Sequence, residues 1–406
     1  MTRLSARRLR RAIVAAGAVA TVAGCGSSAS TSTSGAGTSS SGTTAVTTTT
    51  TSSATSADNS SATASTTTGG GGPSIFLLHA VSTSAGLELR IATPGGGTAA
   101  RSVAVLPANS FLWDAGHGRA LVFDSGSSSV VVVDVPGGTK HTIAAATGVG
   151  GAISPDGTKV AYLAPGTSGG FAVRVTTIDT GSSQTLATFN SGPVPDPIFW
   201  GPNGIVADLI VPNADAPTQG LVRIDPSSGS EQARSSGLGQ HGVVACGDGD
   251  HVVAADHTSG LGDDGDAPPG LGPQGNPNTL RLVAVGGAQV VVREAAHHQI
   301  DALSCAGDGS VVLVADGSSV GGVAGISQSP EFGLLLLTSH GTVKQLAHFG
   351  PTFESGAVYQ DGATVAAVQQ SPSGVTLVEL SVDRPAVTLD TVAGATGARV
   401  YLMSGR

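Results

Sequence analysis

The sequence predicts an all-β fold, a β-propeller closed into a ring, and three observations carry that expectation. A tight turn at Pro155-Asp156-Gly157 separates two strand-like runs. Degenerate copies of this turn recur along the chain, and a β-rich run follows most of them. No long amphipathic helical period interrupts the pattern.

The turn comes first because its chemistry is explicit. Pro155 presets φ for the first turn position, Asp156 can bond its own backbone, and Gly157 can occupy the left-handed region. With Ala152 and Ile153 before it and Lys159-Val-Ala-Tyr-Leu after it, the stretch reads as a β-hairpin.

The copies come next. Anchored on the last glycine, they fall at Gly118, Gly157, Gly204, Gly249, Gly309, Gly362 and Gly397, spaced 39, 47, 45, 60, 53 and 35 residues apart. Runs such as Arg119-Ala-Leu-Val-Phe, His251-Val-Val-Ala-Ala and Thr364-Val-Ala-Ala-Val follow them, usually with a further strand pair. Four short strands per repeat of about 40–50 residues is the pattern of a propeller blade.

Ser154-Pro155-Asp156-Gly157, continuing into Thr-Lys-Val-Ala-Tyr-Leu, resembles the repeat of TolB-like, WD-repeat-like propellers of the bacterial envelope. The resemblance covers residues 75–406 as architecture, and the motif is sharp in this one blade. It implies a propeller that binds other envelope proteins, with no cofactor and no catalytic residues to carry over.

Seven anchors predict seven blades, with six as the alternative. Only Arg399 to Arg406 follow the strand start after Gly397, too few for a blade, while strand-like runs from Ile75 onward have no anchor ahead of them. Sharing one blade between the chain's two ends resolves both facts and leaves no free sheet edge at the closure.

Residues 1–25 read as a lipoprotein signal peptide. Arg3, Arg7, Arg8, Arg10 and Arg11 form a basic start, residues 12–24 are apolar, and Val22-Ala23-Gly24-Cys25 resembles the bacterial lipobox. The apolar stretch is too short to span a bilayer. Cys25 is therefore the expected lipidation site, placing the protein outside the cytoplasm, anchored to the cell membrane.

Residues 26–74 read as a disordered tether rich in Ser, Thr and Gly. Of residues 26–72, 29 are Ser or Thr and only Asp58 is charged. Such a stretch has almost nothing to bury against its ordering entropy.

Composition narrows the partners. Lys and Arg total 19 and acids 28; without the five signal arginines the balance is 14 against 28, or −14. That charge repels phosphate backbones and disfavours nucleic-acid binding. It also leaves the lipid anchor as the expected membrane contact. Aromatics are 3% of the chain, few for a sugar-stacking site, and Trp113 and Trp200 are expected to pack between blades.

Several motifs resemble chemistry. Gly166-Thr167-Ser168-Gly169-Gly170 matches G-x-S-x-G, but a strand is expected on each side, where a nucleophile elbow needs a helix after the serine. Two G-x-G-x-x-G matches, from Gly260 and Gly270, lie among Pro268, Pro269, Pro273 and Pro277, which forbid the helix that would hold a pyrophosphate. The same insert carries Asp263, Asp264 and Asp266. Their carboxylates offer oxygen donors suited to Ca²⁺, though at no known cage spacing; the other reading is a solvated binding loop. No other cofactor and no metal-ligand spacing among the histidines is evident.

Cys246 and Cys305 precede their anchors by three and four residues in adjacent blades. Each sits near the end of an inner strand, such strands of neighbouring blades run side by side, and export permits a disulfide, so a bridge between them is expected. The one-residue offset and the roughly 7 Å reach of a bridge argue for the alternative, two buried free thiols. The function these features predict is a lipid-anchored envelope propeller acting as a protein-binding or scaffolding module for envelope or cell-wall proteins. The alternative is a propeller enzyme, a lyase or hydrolase, with its site in the central channel.

Overall fold

The computed structural model describes residues 75–406 apart from 136, 148–149, 168, 211–219, 237–241, 257–278, 295–297, 307–308, 319–332, 339–342, 349–352 and 405–406. Among these residues the chain forms seven four-stranded antiparallel sheets arranged in a ring. They are the blades of a seven-bladed propeller; the one helical element described is a short 3₁₀ turn at Pro94–Gly96.

Blade 1 takes its second to fourth strands from Ile75–Thr83, Gly86–Ala92 and Arg101–Leu106, and its innermost strand from Thr396–Ser404. Blades 2 to 7 each use four consecutive strands, beginning at Ser110–Gly116, Gly151–Ile153, Val194–Gly201, Gly242–Ala245, His298–Ala306 and Phe353–Val358. From blade 5 round through blade 1 to blade 4, each first strand contacts the next about the axis.

The two chain ends close the ring as expected. Eight residue pairs, from Ile75↔Ser404 to Ser82↔Thr396, join the first described strand to the last. The anchors need one correction. Six of them turn the first strand of a blade into the second, but Gly397 does not; it lies one residue inside the innermost strand of blade 1, just past the outer strand of blade 7. Blade 1 has no such turn, because the two chain ends pair where the turn would be.

The second strands show why these sequences extend. In Arg119–Asp124 the residues from Ala120 to Phe123 are all buried, on both faces of the sheet. Ala120 and Val122 pack toward blade 1, while Leu121 and Phe123 pack toward blade 3. A blade sandwiched between two others therefore reads as a continuous apolar run, although each strand still alternates. Seven such seams circle the molecule, including Leu77, Val368 and Leu377 between blades 7 and 1. Outer strands are more exposed: in Gln289–Glu294 of blade 5, Val290 and Val291 are exposed and Val292 is half-buried.

The turn motif repeats because its aspartate organises the backbone. Asp156 Oδ1 accepts from Thr158 N–H (3.0 Å) and from the Ser154 hydroxyl (2.6 Å), and Ser154 Oγ accepts from Lys159 N–H (2.9 Å). Asp248 accepts from the N–H groups of Asp250 and His251, and Asp361 from those of Ala363 and Thr364. The following glycines adopt φ of +68° at Gly157, +69° at Gly249 and +62° at Gly362, a region that disfavours any side chain. The hydroxyl of Ser154 with backbone N–H groups holds the Asp156 carboxyl down at about 2.

Candidate functional site

The innermost strands expose a backbone edge toward the axis, and an edge N–H needs a partner. In three places a side chain of one blade supplies it to the next. Ile153 N–H of blade 3 donates to Asp114 Oδ2 of blade 2 (2.8 Å). Val358 N–H of blade 7 donates to Ser304 Oγ of blade 6 (3.4 Å), and Val400 N–H of blade 1 to Ser355 Oγ of blade 7 (3.2 Å). Each of these three acceptors stands directly after a register shift in its strand, at Leu112/Asp114, Ala302/Ser304 and Phe353/Ser355. A bulge re-aims the following side chain. Here it aims a polar group at the neighbouring blade.

Asp114 differs from the two serines in carrying charge. Protein surrounds its carboxyl closely although some surface stays open, and this desolvation pushes it up to about 6 despite hydrogen bonds from Ile153 and Ala115. Ala115 N–H binds Oδ1 (2.8 Å) while Ile153 binds Oδ2, so each oxygen already accepts one backbone bond. Nearby, the Tyr401 hydroxyl donates to Trp113 O (3.3 Å), tying blade 1 to blade 2.

A second polar cluster fills the seam between blades 7 and 1. Arg90 binds Asp390 through Nε (2.6 Å) and Nη2 (3.2 Å), and Glu88 through Nη1 (2.7 Å). His79, fully buried, places Nδ1 3.4 Å from the same Asp390 carboxylate. Burial works to raise Asp390, but the His79 and Arg90 hydrogen bonds and the Arg90 charge hold it down at about 2. Beside this group Glu379 Oε2 accepts from the Tyr359 hydroxyl (2.8 Å) and from Gly95 N–H (2.9 Å). Burial, with the Glu379 carboxylate, pushes the Tyr359 hydroxyl well above its ordinary range. The cluster is half-buried and ties together residues about 300 apart in sequence, across the seam between blades 7 and 1.

The residues singled out in the sequence fall in three groups. Trp113 and Trp200 lie in first strands and pack between blades, Trp113 stacked on Phe123 with ring centroids 4.9 Å apart. Cys246 and Cys305 are joined, with Cα atoms 4.9 Å apart. Cys25, Asp263, Asp264 and Asp266 lie outside the described residues, as do both G-x-G-x-x-G matches. Gly166 and Gly170 lie between strands Lys159–Pro165 and Phe171–Thr177, so no helix follows the G-x-S-x-G motif. Among the described residues no group of three His, Cys, Asp or Glu is placed to hold a metal ion. The acceptors Asp114, Ser304 and Ser355 were not legible in the sequence, because their partners lie 39, 54 and 45 residues away.

The connections between second and third strands are uneven around the ring. They run from residue 211 to 219 in blade 4, 257 to 278 in blade 5 and 319 to 332 in blade 6. In blades 1 and 7 the corresponding strands are separated by residues 84–85 and 372–373 alone. The insert bearing Asp263, Asp264 and Asp266 is thus the longest of three that depart from consecutive blades at one end of the ring.

No protein-family model matches this chain, and no curated protein matches it in sequence. Among solved structures it is similar to oligogalacturonate lyase from Vibrio parahaemolyticus, with a TM-score of 0.50 and 10% identity over 75% of this chain and 86% of that one. It is also similar to TolB from Acinetobacter baumannii, with a TM-score of 0.42 and 13% identity, covering 80% of this chain and 66% of the TolB chain. The β-propeller domain of the Trilobed protease from Pyrococcus furiosus aligns with a TM-score of 0.45 and 12% identity over 71% and 84%. At these identities the likeness is one of fold alone.

Proposed function

We propose that this chain is a lipid-anchored, extracytoplasmic propeller that binds other proteins of the cell envelope or cell wall through the long connections of blades 4 to 6. The observation that carries the reading is the unevenness of those connections. The second and third strands of three consecutive blades are joined by 9, 22 and 14 residues, whereas those of blades 1 and 7 are joined by two. Loops on a rigid frame are where propeller-like scaffolds place recognition. The anchor is Cys25, supported by the order of basic start, apolar stretch and lipobox-like Val22-Ala23-Gly24-Cys25.

The channel-enzyme alternative is weaker because Asp114, Ser304 and Ser355, the acceptors re-aimed by bulges in the inner strands, are already engaged. Asp114 Oδ2, Ser304 Oγ and Ser355 Oγ accept backbone bonds that join blades, and Asp114 Oδ1 accepts Ala115 N–H. The binding role requires no cofactor; Ca²⁺ held by Asp263, Asp264 and Asp266 would be an addition to it. The mature charge of −14 argues against nucleic acid as the partner.

Two experiments test the reading. Replacing Cys25 with Ala should release the protein from the membrane fraction, and unchanged fractionation would refute the anchor. Deleting residues 260–276 should leave the fold intact but abolish the crosslinks that the full-length protein makes in cells. Unchanged crosslinks would refute the binding face.

A further inference from the structure

Arg399 stands on the innermost strand of blade 1, opposite Ala80. Tyr401 and Met403, two and four residues further on, pack toward blade 2. Strand alternation therefore turns Arg399 toward blade 2 as well. The hydrogen bond from the Tyr401 hydroxyl to Trp113 O sets the relative level of the two inner strands. Moving two residues back along blade 1, about 7 Å, brings Arg399 to the level of the start of Ser110–Gly116 in blade 2.

Ser110 is the first residue of that strand and shares a face with Leu112, which packs toward blade 1. Ser110 is 3% exposed, and its hydroxyl has no hydrogen-bond partner. Its backbone N–H is already used, donating to Pro107 O (3.0 Å). Arg399 is half-buried, and among the described residues no hydrogen bond or ion pair engages it. That is unusual in a domain whose mature chain has 28 acids against 14 Lys and Arg. Asp124, across the ladder from Ser110, points its carboxylate into its own loop, accepting Gly126 N–H (2.9 Å) and the Ser127 hydroxyl (2.7 Å).

A buried hydroxyl without a partner and a half-buried guanidinium without an anion are each unfavourable alone. Together on facing strands they supply what an oxyanion needs: a planar charged fork and a neutral donor. We propose that the inner seam between blades 1 and 2 is a binding subsite for a carboxylate- or phosphate-bearing ligand, with Arg399 as the charged donor and Ser110 as the second. The subsite is separate from the loops of blades 4 to 6, and it does not depend on their role.

The test is calorimetric titration of the full chain in detergent with inorganic phosphate and, separately, with acetate. Binding of either probe supports the subsite, and which one binds distinguishes a phosphoryl from a carboxylate ligand. R399Q should weaken that binding about 10-fold or more and S110A about 3-fold. R234Q, at an exposed arginine paired with Glu231, should change nothing. Should R399Q fail to fold, S110A and R399K carry the test, R399K keeping the charge but losing the fork. Equal binding by the wild type and the folded variants overturns the proposal, as does absence of binding by both probes at tens of millimolar.

Discussion

Cys246 and Cys305 meet across the seam between blades 5 and 6, one residue out of step in the repeat, with Cα atoms 4.9 Å apart. In the sequence that offset argued against a bridge; in a ring it is what permits one. Equivalent positions of successive blades point the same way around the axis, so two such residues never face each other. The turn glycines show the register: Gly249 N–H binds Cys246 O and Gly309 N–H binds Ala306 O. Ala306, the equivalent of Cys246, packs toward blade 7, whereas Cys305 packs toward blade 5.

Replacing both cysteines with alanine should lower the free energy of unfolding by about 4 kcal/mol, the chain-entropy value for a loop of this length. The sequence separation is 59 residues. Urea denaturation of wild type and double variant measures it. Labelling of both thiols in denaturant without reductant would show that no bridge forms.

Asp390 makes stability fall in acid. Its carboxyl is held at about 2 from an ordinary 3.8, so its contribution is complete above pH 4 and disappears as pH falls toward 2. The shift corresponds to about 2 kcal/mol. D390N should remove this segment of the pH profile and, by leaving Arg90 without its buried acid, lower stability at pH 7 by about 3 kcal/mol. Denaturation at a series of pH values checks both, and parallel profiles would contradict the assignment.

Asp114 acts with the opposite sign. Its carboxyl is raised to about 6, so the folded state holds a proton that the unfolded state has already released, and stability falls as pH rises from 4 to 6. The loss is about 2 kcal/mol after allowing for its partial exposure. D114N should flatten that interval in the same measurements.

Gly151 fixes how closely blade 3 approaches blade 2. A Cβ there would lie 2.7 Å from Trp113 Cε3 and 2.9 Å from Leu121 Cδ2. G151A should cost about 2 kcal/mol and disturb the Trp113 fluorescence. An unchanged melting temperature and emission spectrum would show that the seam can yield.

The frame was legible because six of the seven blades carry their own turn between first and second strands. Asp156, Asp248 and Asp361 act within three residues of themselves, so their signal survives in one dimension. Gly397 misled because Ala395-Thr396-Gly397 before a β-rich run looks like the other anchors, though the strand after it is a first strand and not a second. The channel wall was hidden for the opposite reason. Asp114 lies four residues before its anchor glycine, Ser304 five and Ser355 seven, so their shared role leaves no fixed offset in the sequence.

The closure of blade 1 decides how the ring would carry a mechanical load. The strand Ile75–Thr83 lies between two partners, with eight residue pairs to the C-terminal strand on one side and seven to Gly86–Ala92 on the other. Tension entering along that strand from the residues before Ile75 would act lengthwise on both ladders at once. Bonds loaded in shear resist together, whereas bonds at a peeling edge break one after another. A chain held at its N-terminal end would therefore pull against its most doubly secured strand.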